Sequence, residues 1–409
     1  MPKASTRNVH RSGKVITVSS LSSPFVVGQF LIAVYQGYER GYSDFTINFQ
    51  EVQGAFPNVC APVAGILEYY RFERGFDFEF TNVPEFVAHT KTLSPLVYGL
   101  DQLSRPSPLN TVWKFATASE IHSLVDVCLD EVSRAAVCEA GVIQGLEWCL
   151  NEVMDNVLQH ADTTHGYMMA QIHSGARHIA ICIYDYGQGI YNSLRNSPHA
   201  PRNTVDAITI ALKEGVTRDK SVGQGNGMWG LYNIVRSNSG LLNITSGSGF
   251  FGLHGTELKT SSKVPFLSTS NNCTTVDFQI DFDKIISIAD ALGGYKPVNA
   301  RIENLQDEQN NVVYKLAEKA SGTGTRQSGA GIRNEIMNVL RQSNSIVVLD
   351  FKGVSVVSSS FADELIGKLA AECGLVTFMQ RFKLVGMNET VQAITNRSVT
   401  QRLGSEQSQ

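Results

Sequence analysis

Apolar residues recur at three- and four-residue intervals between positions 142 and 161, which is the period of an amphipathic helix with one buried stripe. Glu152, Asn156 and His160 lie four residues apart, so a helix places them in one line at the edge of that stripe. A carboxylate and a carboxamide beside a core need polar partners, because their desolvation is costly. A solvated helix edge would also explain these residues, and only the motifs farther along the chain favour a binding site.

The same periodic patterns predict elements along the rest of the chain. In the first hundred residues strand and helix patterns alternate, which favours a small α/β layer structure, with helices at 25–38 and 62–72 and strands at 45–49 and 76–80. The central part predicts helices at 118–137, 139–161, 205–214 and 228–237 and strands at 166–172, 178–184, 241–245 and 275–280. The last part predicts helices at 333–341 and 361–373 and strands at 346–351, 376–378 and 382–385.

Proline, glycine and serine mark the connections between these elements. Two prolines within residues 104–109 indicate the first domain boundary. Residues 246–272 predict a hairpin followed by a mobile loop, and the glycine-rich stretch 321–331 predicts a flexible insertion. The last ten residues are polar, and we expect them to be frayed.

Composition and charge narrow the class of protein. The chain has 409 residues, too many for one compact core, with 43% hydrophobic and 18% charged residues. A formal net charge of -4 and the lack of a basic run disfavour nucleic-acid binding. No apolar run approaches the ~18 residues that a membrane span requires, and the polar N-terminus indicates no signal peptide. Seven scattered cysteines without a CxxC pair indicate reduced core thiols rather than a metal site, so we expect a cytoplasmic protein.

Two glycine motifs follow the polar helix edge. Asp185 directly follows the hydrophobic run 178–184 and is the first residue of Asp-Tyr-Gly-Gln-Gly. Two glycines in such a loop allow a ligand to approach the backbone closely, although a simple turn would also explain them. Farther on, a second motif leads directly into the helix predicted at 228–237, where exposed backbone amides and the helix dipole attract an anion. Its glycines are Gly223, Gly225 and Gly227. Alone, this motif is weak, and it fits neither a dinucleotide fingerprint nor a P-loop.

The order of the motifs is more specific than any one of them. A helix with ExxxN, DxGxG after a strand, GxGxG before a helix and a closing strand resemble the GHKL family of Bergerat-fold ATP-binding proteins, which includes histidine-kinase ATPases and anti-sigma-factor kinases. The resemblance covers about residues 112–282 and implies that Glu152 is the general base and that Asn156 holds Mg²⁺. It further implies that Asp185 accepts a hydrogen bond from the adenine amino group, with room for the ring at Gly187 and Gly189. The family's phosphate lid would then contain Gly223, Gly225 and Gly227.

One position departs from the family pattern. The closing strand of the family usually begins with a Gly-Thr pair whose threonine contacts the adenine-binding aspartate, whereas this chain has Cys273-Thr274. His254-Gly255-Thr256 is an alternative. We prefer Thr274, because an alternating strand pattern follows it directly.

The C-terminal part carries a second resemblance. Residues 348–365 resemble a STAS-like domain, the fold of anti-sigma-factor antagonists, in which a partner kinase phosphorylates a serine at the start of a helix. The serines here are Ser358, Ser359 and Ser360, of which Ser360 lies closest to the family's acceptor position. We take Ser359 and Ser360 as candidate phosphoacceptors. The alternative is that these serines only cap the helix, with Asp363 or Glu364 completing a capping box.

A faint internal repeat extends this resemblance to the N-terminus. Residues 48–52 and the helix after them align without gaps on residues 350–354 and the helix that follows. In that alignment Pro57 and Asn58 stand where the C-terminal copy has serines, so the N-terminal copy has no acceptor.

Together these patterns predict an α/β protein whose central Bergerat-type domain places helices on a mixed sheet between two small STAS-like domains. We expect a STAS-like domain at 1–105, a GHKL ATP-binding domain at 106–284 and a second STAS-like domain at 285–409. The resemblance implies a bacterial regulatory protein with ATP and Mg²⁺ as cofactors. It implies either ATP hydrolysis or serine-kinase activity, or a nucleotide-dependent interaction switch without catalysis. The expected partner is another protein, the chain's own STAS-like domain or a second copy in a homodimer.

Overall fold

A computed structural model describes residues 8–97, 107–216, 225–265, 272–320 and 322–406. Its N-terminal part is a four-stranded sheet in the order β1-β2-β3-β4, in which β1 and β2 form a hairpin and β2, β3 and β4 run parallel. The elements are β1 (Val9–Ser12), β2 (Val15–Val18), α1 (Phe25–Tyr38), β3 (Asp44–Asn48), α2 (Pro57–Arg74), β4 (Asp77–Thr81) and α3 (Glu85–His89). Proline at the first position of α2 and left-handed Gly75 after its end are typical helix boundaries.

The central part is built on an eight-stranded mixed sheet in the order β11-β10-β9-β12-β8-β7-β6-β5. Among the described strands of this sheet only β5 and β6 pair in parallel, and β12 lies between β8 and β9. The elements are β5 (Leu96–Val97), β6 (Trp113–Phe115), α4 (Ala118–Ala135), α5 (Val142–His160), β7 (Gly166–His173), β8 (His178–Asp185), α6 (Gly189–Leu194), α7 (Thr204–Ala211), α8 (Gly227–Ser237), β9 (Leu241–Ser246), β10 (Gly249–His254), β11 (Glu257–Ser261) and β12 (Thr274–Asp281). The hairpin predicted within 246–272 is confirmed as β10 and β11.

The N-terminal sheet and the central sheet share one hydrophobic core. Helix α2 packs on β7, β8 and β12, and the core cluster joins residues of α1, α2 and β3 to Tyr167, Cys182 and Tyr184 of the central sheet. The described residues of 1–128 and 145–281, with 290–293, accordingly form one compact unit. Strand β5 also belongs to the central sheet, although it precedes the boundary predicted at residue 105.

The second compact unit comprises 129–144, 282–289 and the described residues of 294–409. It contains a parallel sheet in the order β13-β14-β15, with helices between successive strands. The short helix α9 (Ile288–Ala291) is divided between the two units. The other elements of the second unit are α10 (Ala300–Glu303), β13 (Val312–Lys315), α11 (Leu316–Lys319), α12 (Arg326–Gln342), β14 (Val347–Asp350), α13 (Ser359–Ala362), α14 (Lys368–Cys373), α15 (Leu375–Arg381), β15 (Phe382–Val385) and α16 (Glu389–Glu406). A single π-helical turn, Asp363–Gly367, joins α13 to α14.

Three expectations for this unit are wrong. Helix α12 begins at Arg326, inside the predicted insertion, because the Thr325 side chain caps it by accepting from the Ser328 N–H. Residues 376–378 are helical in α15, and β15 alone takes the place beside β14. Of the last ten residues, 400–406 continue α16, which packs on the π-helical turn, and 407–409 lie outside the described residues.

The internal repeat falls on equivalent positions of the two small sheets. In each region three parallel strands stand in chain order, and the aligned residues lie at the end of the central strand, β3 or β14. Helix α2 begins at Pro57 and α13 at Ser359, which the gapless alignment pairs with each other. This topology supports a STAS-like N-terminal region, which remains a prediction.

No helix in the described part of the chain is both long enough and apolar enough to cross a membrane.

Candidate functional site

Asp185 lies at the end of β8 with 5% of its surface exposed. Its Oδ1 accepts a hydrogen bond of 2.8 Å from the Gly187 N–H. Burial raises the pKa of Asp185 to about 7, and hydrogen bonds from the backbone of Gly187 and Thr274 oppose that rise. The site therefore holds a carboxyl group that is buried yet has no cationic partner among the causes that shift its pKa.

The DxGxG loop lies against the C-terminal end of α5. A Cβ atom at Gly187 would come within 2.0 Å of the Ala161 carbonyl oxygen, so this position requires glycine. The Gln188 N–H donates to the Ala161 carbonyl at 2.7 Å, and its Nε2 donates to the His160 carbonyl at 2.7 Å. The loop that carries Asp185 and the helix that carries Glu152 and Asn156 therefore meet directly.

The two candidate threonines lie in different parts of the sheet. Thr274 on β12 is paired directly with Asp185 on β8, and its Oγ1 lies 3.2 Å from the Ser246 hydroxyl. Thr256 is exposed in the turn between β10 and β11, beyond β9 in the strand order. The geometry therefore brings Thr274, and not Thr256, beside Asp185.

Glu152 lies next to the start of α8. A Cβ atom at Gly227 would lie 2.2 Å from Glu152 Oε2, so glycine lets the backbone approach the carboxylate. Burial and, to a lesser extent, the Asp155 carboxylate raise the pKa of Glu152. One turn along α5, the Asn156 Nδ2 is buried and has no hydrogen-bond partner within the described residues. An unengaged buried amide of this kind is free to bind a ligand.

The loop that contains Gly223, Gly225 and Gly227, here called the glycine loop, is described at its two ends, up to Val216 and from Gly225 onwards. Gly223 lies within 217–224, outside the described residues, as do Arg218 and Lys220, two cations that precede it. Gly225 has φ +77°, and a Cβ there would lie 2.4 Å from the Val216 backbone. The Asn226 side chain accepts from the Gly215 N–H at 3.1 Å, so the two ends of the loop are joined at its base.

Helix α8 begins at Gly227 with no side-chain cap at Asn226. Within the described residues, its first amide groups are therefore not engaged by a capping side chain, as expected of an anion-binding helix start.

Three residues of the site were missed in the sequence. Gln188 ties the DxGxG loop to α5, the Ser246 hydroxyl accepts from the Ile190 N–H at 2.8 Å, and Asn226 closes the base of the glycine loop. Gln188 and Asn226 are polar residues between motif glycines, which is a usable signal. Ser246 offers no signal in the sequence, because its role depends on β9 lying beside β12.

The serine loop of the C-terminal unit follows the capping alternative. Ser358 caps α13 by accepting from the Phe361 N–H at 3.0 Å, and its Oγ lies 3.0 Å from that of Ser360. Ser359 is exposed. The expected capping box is absent, because Asp363 and Glu364 bind cationic side chains, the former Arg402 and the latter Arg333 and Lys368.

Comparisons with known proteins agree with both resemblances. Residues 116–235 match the family model of the histidine kinase-like ATPase domain, and residues 328–392 match that of a STAS-like domain of unknown function. No curated protein matches the chain. One similar solved structure is the crystal structure of full-length ShkA in complex with AMPPNP, with 10% identity and a TM-score of 0.22. That match covers 83% of this chain and 62% of the other. The chain thus carries a histidine kinase-like ATPase domain and a STAS-like domain.

Proposed function

We propose that this chain is an ATP-binding regulatory protein whose central domain hydrolyses ATP or transfers its γ-phosphoryl group to a serine. The observation that carries the proposal is the convergence of separate motifs on one helix. Gly187 contacts the C-terminal end of α5, and Gly227 contacts Glu152 on the same helix. Motifs that are unspecific one by one therefore surround a single site, and the ATPase family model spans all three of them.

Asp185 is the proposed acceptor for the adenine amino group. Its carboxyl is buried, accepts hydrogen bonds from backbone amides and has no cationic partner among the described residues, so it can accept a further hydrogen bond from a neutral N–H donor. Thr274 and Ser246 add hydroxyl groups beside it. Gly187 and Gly189 keep the loop that follows Asp185 in close contact with its surroundings, because a Cβ atom at Gly187 would meet the Ala161 carbonyl and one at Gly189 would meet Asn272.

Asn156 is the proposed protein ligand of Mg²⁺. Its amide is buried and has an unengaged nitrogen, and an amide of that orientation can equally present its oxygen inward. No group of three or more His, Cys, Asp or Glu residues in the described part of the chain could hold a metal by itself. This donor set fits Mg²⁺, which commonly takes one or two protein ligands and completes its shell with phosphates and water. The bound metal would neutralise phosphate charge.

Glu152 is the proposed general base. Burial raises the pKa of Glu152 towards neutral pH. A carboxylate with a higher pKa is a stronger base, so it accepts a proton more readily from a water or a serine hydroxyl. The adjacent start of α8 supplies uncapped backbone amides for phosphate oxygens. A proton acceptor and amide donors on neighbouring elements are what phosphoryl transfer requires of a protein.

A nucleotide-dependent interaction switch is the second candidate, and one observation favours it. Residues 129–144, which include the end of α4 and the start of α5, belong to the same compact unit as the STAS-like domain. Asn338 of α12 donates to the Ser133 and Ala136 carbonyls and accepts from the Cys138 N–H within that unit. The STAS-like domain therefore contacts the segment of the chain that precedes the helix carrying Glu152.

Two substitutions test the site and separate these candidates. Asp185→Asn should weaken ATP binding at least tenfold, because the amide presents a donor to the adenine amino group. Glu152→Ala should reduce turnover by a factor of about 100 or more while ATP binding persists. Binding is measured by calorimetry with Mg²⁺·ATP, and turnover by release of label from γ-labelled ATP.

Each result has a clear reading. Unchanged ATP affinity in Asp185→Asn would contradict the nucleotide site as a whole. Regulation of a partner that survives Glu152→Ala would favour the switch. Label on Ser359 or Ser360 identifies a serine kinase, whereas label in free phosphate alone identifies a hydrolase.

A further inference from the structure

Helix α2 of the N-terminal region packs on strand β8, on the face opposite the Asp185 carboxylate. A Cβ atom at Gly65 would lie 2.4 Å from the ring of Tyr184 and 3.0 Å from that of Tyr167, so α2 approaches β8 without an intervening side chain. Tyr184 immediately precedes Asp185, and successive residues of a strand point to opposite faces. The ring held by α2 and the carboxylate of the candidate site are therefore neighbours on opposite faces of β8.

The residue after Asp185 is held by the same helix. The Tyr186 ring lies 5.8 Å from that of Tyr69 on α2 and 6.2 Å from that of Tyr167, centroid to centroid. Its hydroxyl lies 3.1 Å from the Thr164 hydroxyl. Tyr186 also packs against the hydrophobic cluster that includes α2. Both chain neighbours of Asp185 thus pack against α2.

Polar contacts hold α2 to the central sheet at two further points. Near its start, Asn58 donates to the buried Asp277 on β12 at 3.3 Å. Near its end, Glu68 accepts from the Tyr167 hydroxyl at 2.7 Å and from Lys114 at 2.6 Å. Gly65 lies between these contacts, so the middle of the helix has little freedom to move away from β8.

We infer that α2 is a positioning element of the nucleotide site, which directs the Asp185 carboxylate by holding Tyr184 and Tyr186 from the opposite face. This inference rests on the proposed role of Asp185 and extends it, because it makes the N-terminal region part of the site. A displacement of β8 by a fraction of an ångström would misalign the carboxylate with the adenine amino group, and such hydrogen bonds are sensitive to geometry.

Two glycines give a matched pair of substitutions. Gly65→Ala places a methyl group 2.4 Å from the buried Tyr184 ring, and Gly37→Ala on α1 places one 2.4 Å from the buried Phe45 ring on β3. Both exchanges are in helices of the N-terminal region, but only Gly65 contacts β8. We expect Gly65→Ala to weaken Mg²⁺·ATP binding about tenfold with little change in kcat, and Gly37→Ala to leave the affinity within twofold.

A second pair guards against a failure to fold. Tyr69→Leu removes the ring beside Tyr186, while Tyr70→Leu removes a neighbouring buried ring that packs on Phe76. Tyr69→Leu should weaken ATP binding more than Tyr70→Leu does at a similar loss of thermal stability. Equal losses of affinity within each matched pair would overturn the inference.

Hydrogen exchange tests the inference without nucleotide. The Gly187 N–H bonds to Asp185 Oδ1, so its exchange rate reports the order of that carboxylate. In nucleotide-free protein, Gly65→Ala should accelerate exchange at residues 185–190 at least fivefold, and Gly37→Ala should not. Unchanged exchange in Gly65→Ala would overturn the positioning role. A wild-type protein that binds no ATP yet exchanges as expected would contradict the proposed function alone.

Discussion

The N-terminal and C-terminal regions place a helix at the same point of the same strand order and use it differently. Helix α2 follows the central strand β3, and α13 follows the central strand β14. The gapless repeat pairs Asn58 with Ser360. Asn58 bonds to the buried Asp277 of the central sheet, whereas Ser360 lies beside Ser358 at a half-buried helix start.

The difference shows how one strand–loop–helix unit serves two purposes. In the N-terminal region the start of α2 is packed against the central sheet, and this strand–loop–helix unit shares one hydrophobic core with that sheet. In the C-terminal region the unit keeps a separate core and leaves Ser359 exposed. A serine acceptor is therefore compatible with the second region only, and the first is suited to support the nucleotide site.

The largest effect should come from the contact, within the second compact unit, between Asn338 of α12 and residues 129–144. Asn338 is 2% exposed. Its Nδ2 donates to the Ser133 and Ala136 carbonyls, and its Oδ1 accepts from the Cys138 N–H. Asn338→Ala removes the hydrogen bonds that this buried amide makes at the end of α4, which should cost about 3 kcal/mol or more. Urea unfolding followed by circular dichroism measures the loss.

Asn334→Ala is the matched control on the same helix. Asn334 is half-buried and donates to the Arg134 carbonyl at 2.9 Å, so its loss should cost only about 1 kcal/mol. Equal losses for the two variants would mean that Asn338 does not cap α4 in solution.

The contact of the N-terminal region predicts a pH dependence. Burial raises the pKa of Asp277 to about 6, and the side chains of Asn243 and Asn58 oppose that rise. A carboxyl with a raised folded-state pKa stabilises the fold most below its unfolded value near 4, and that stabilisation is lost as pH rises through about 6. Asp277→Asn should therefore match the wild type at pH 3.5 and exceed its stability by about 3 kcal/mol at pH 7.5.

The stability difference between wild type and variant should be measured at several pH values by urea unfolding. Asp290→Asn, at an exposed position of the chain, is the control for a charge change alone. A wild-type advantage at pH 7.5 would show that the carboxylate is needed in its ionised form.

Much of the fold follows from periodicity in the sequence. Strands β7 and β8 lie within one residue of their predicted bounds and helix α5 within three, because long amphipathic or fully apolar runs leave few alternatives. The short apolar run 376–378 fits helix and strand equally well, and packing decided in favour of α15. The start of α12 depends on the Thr325 cap, which a glycine-rich composition obscures.

The candidate site is less completely encoded in local sequence. The motif glycines indicated close approach, and Gly187 and Gly227 do lie against α5 and Glu152. Neither the partner of Ser246 nor the packing of Gly65 on Tyr184 leaves a local pattern, because each joins elements far apart along the chain. The contribution of α2 to the site could therefore not be predicted from sequence.

The smallest effect distinguishes the serines of the C-terminal region. Ser358→Ala removes the cap of α13 and should cost about 1 kcal/mol, whereas Ser359→Ala at an exposed position should change stability by less than about 0.5 kcal/mol. Thermal unfolding of the two variants side by side measures the difference. A Ser358→Ala variant as stable as Ser359→Ala would free Ser358 from its capping role and make all three serines equal candidates for phosphorylation. With the cap intact, γ-phosphoryl transfer should label Ser359 or Ser360, because the Ser358 oxygen is engaged with the Phe361 N–H.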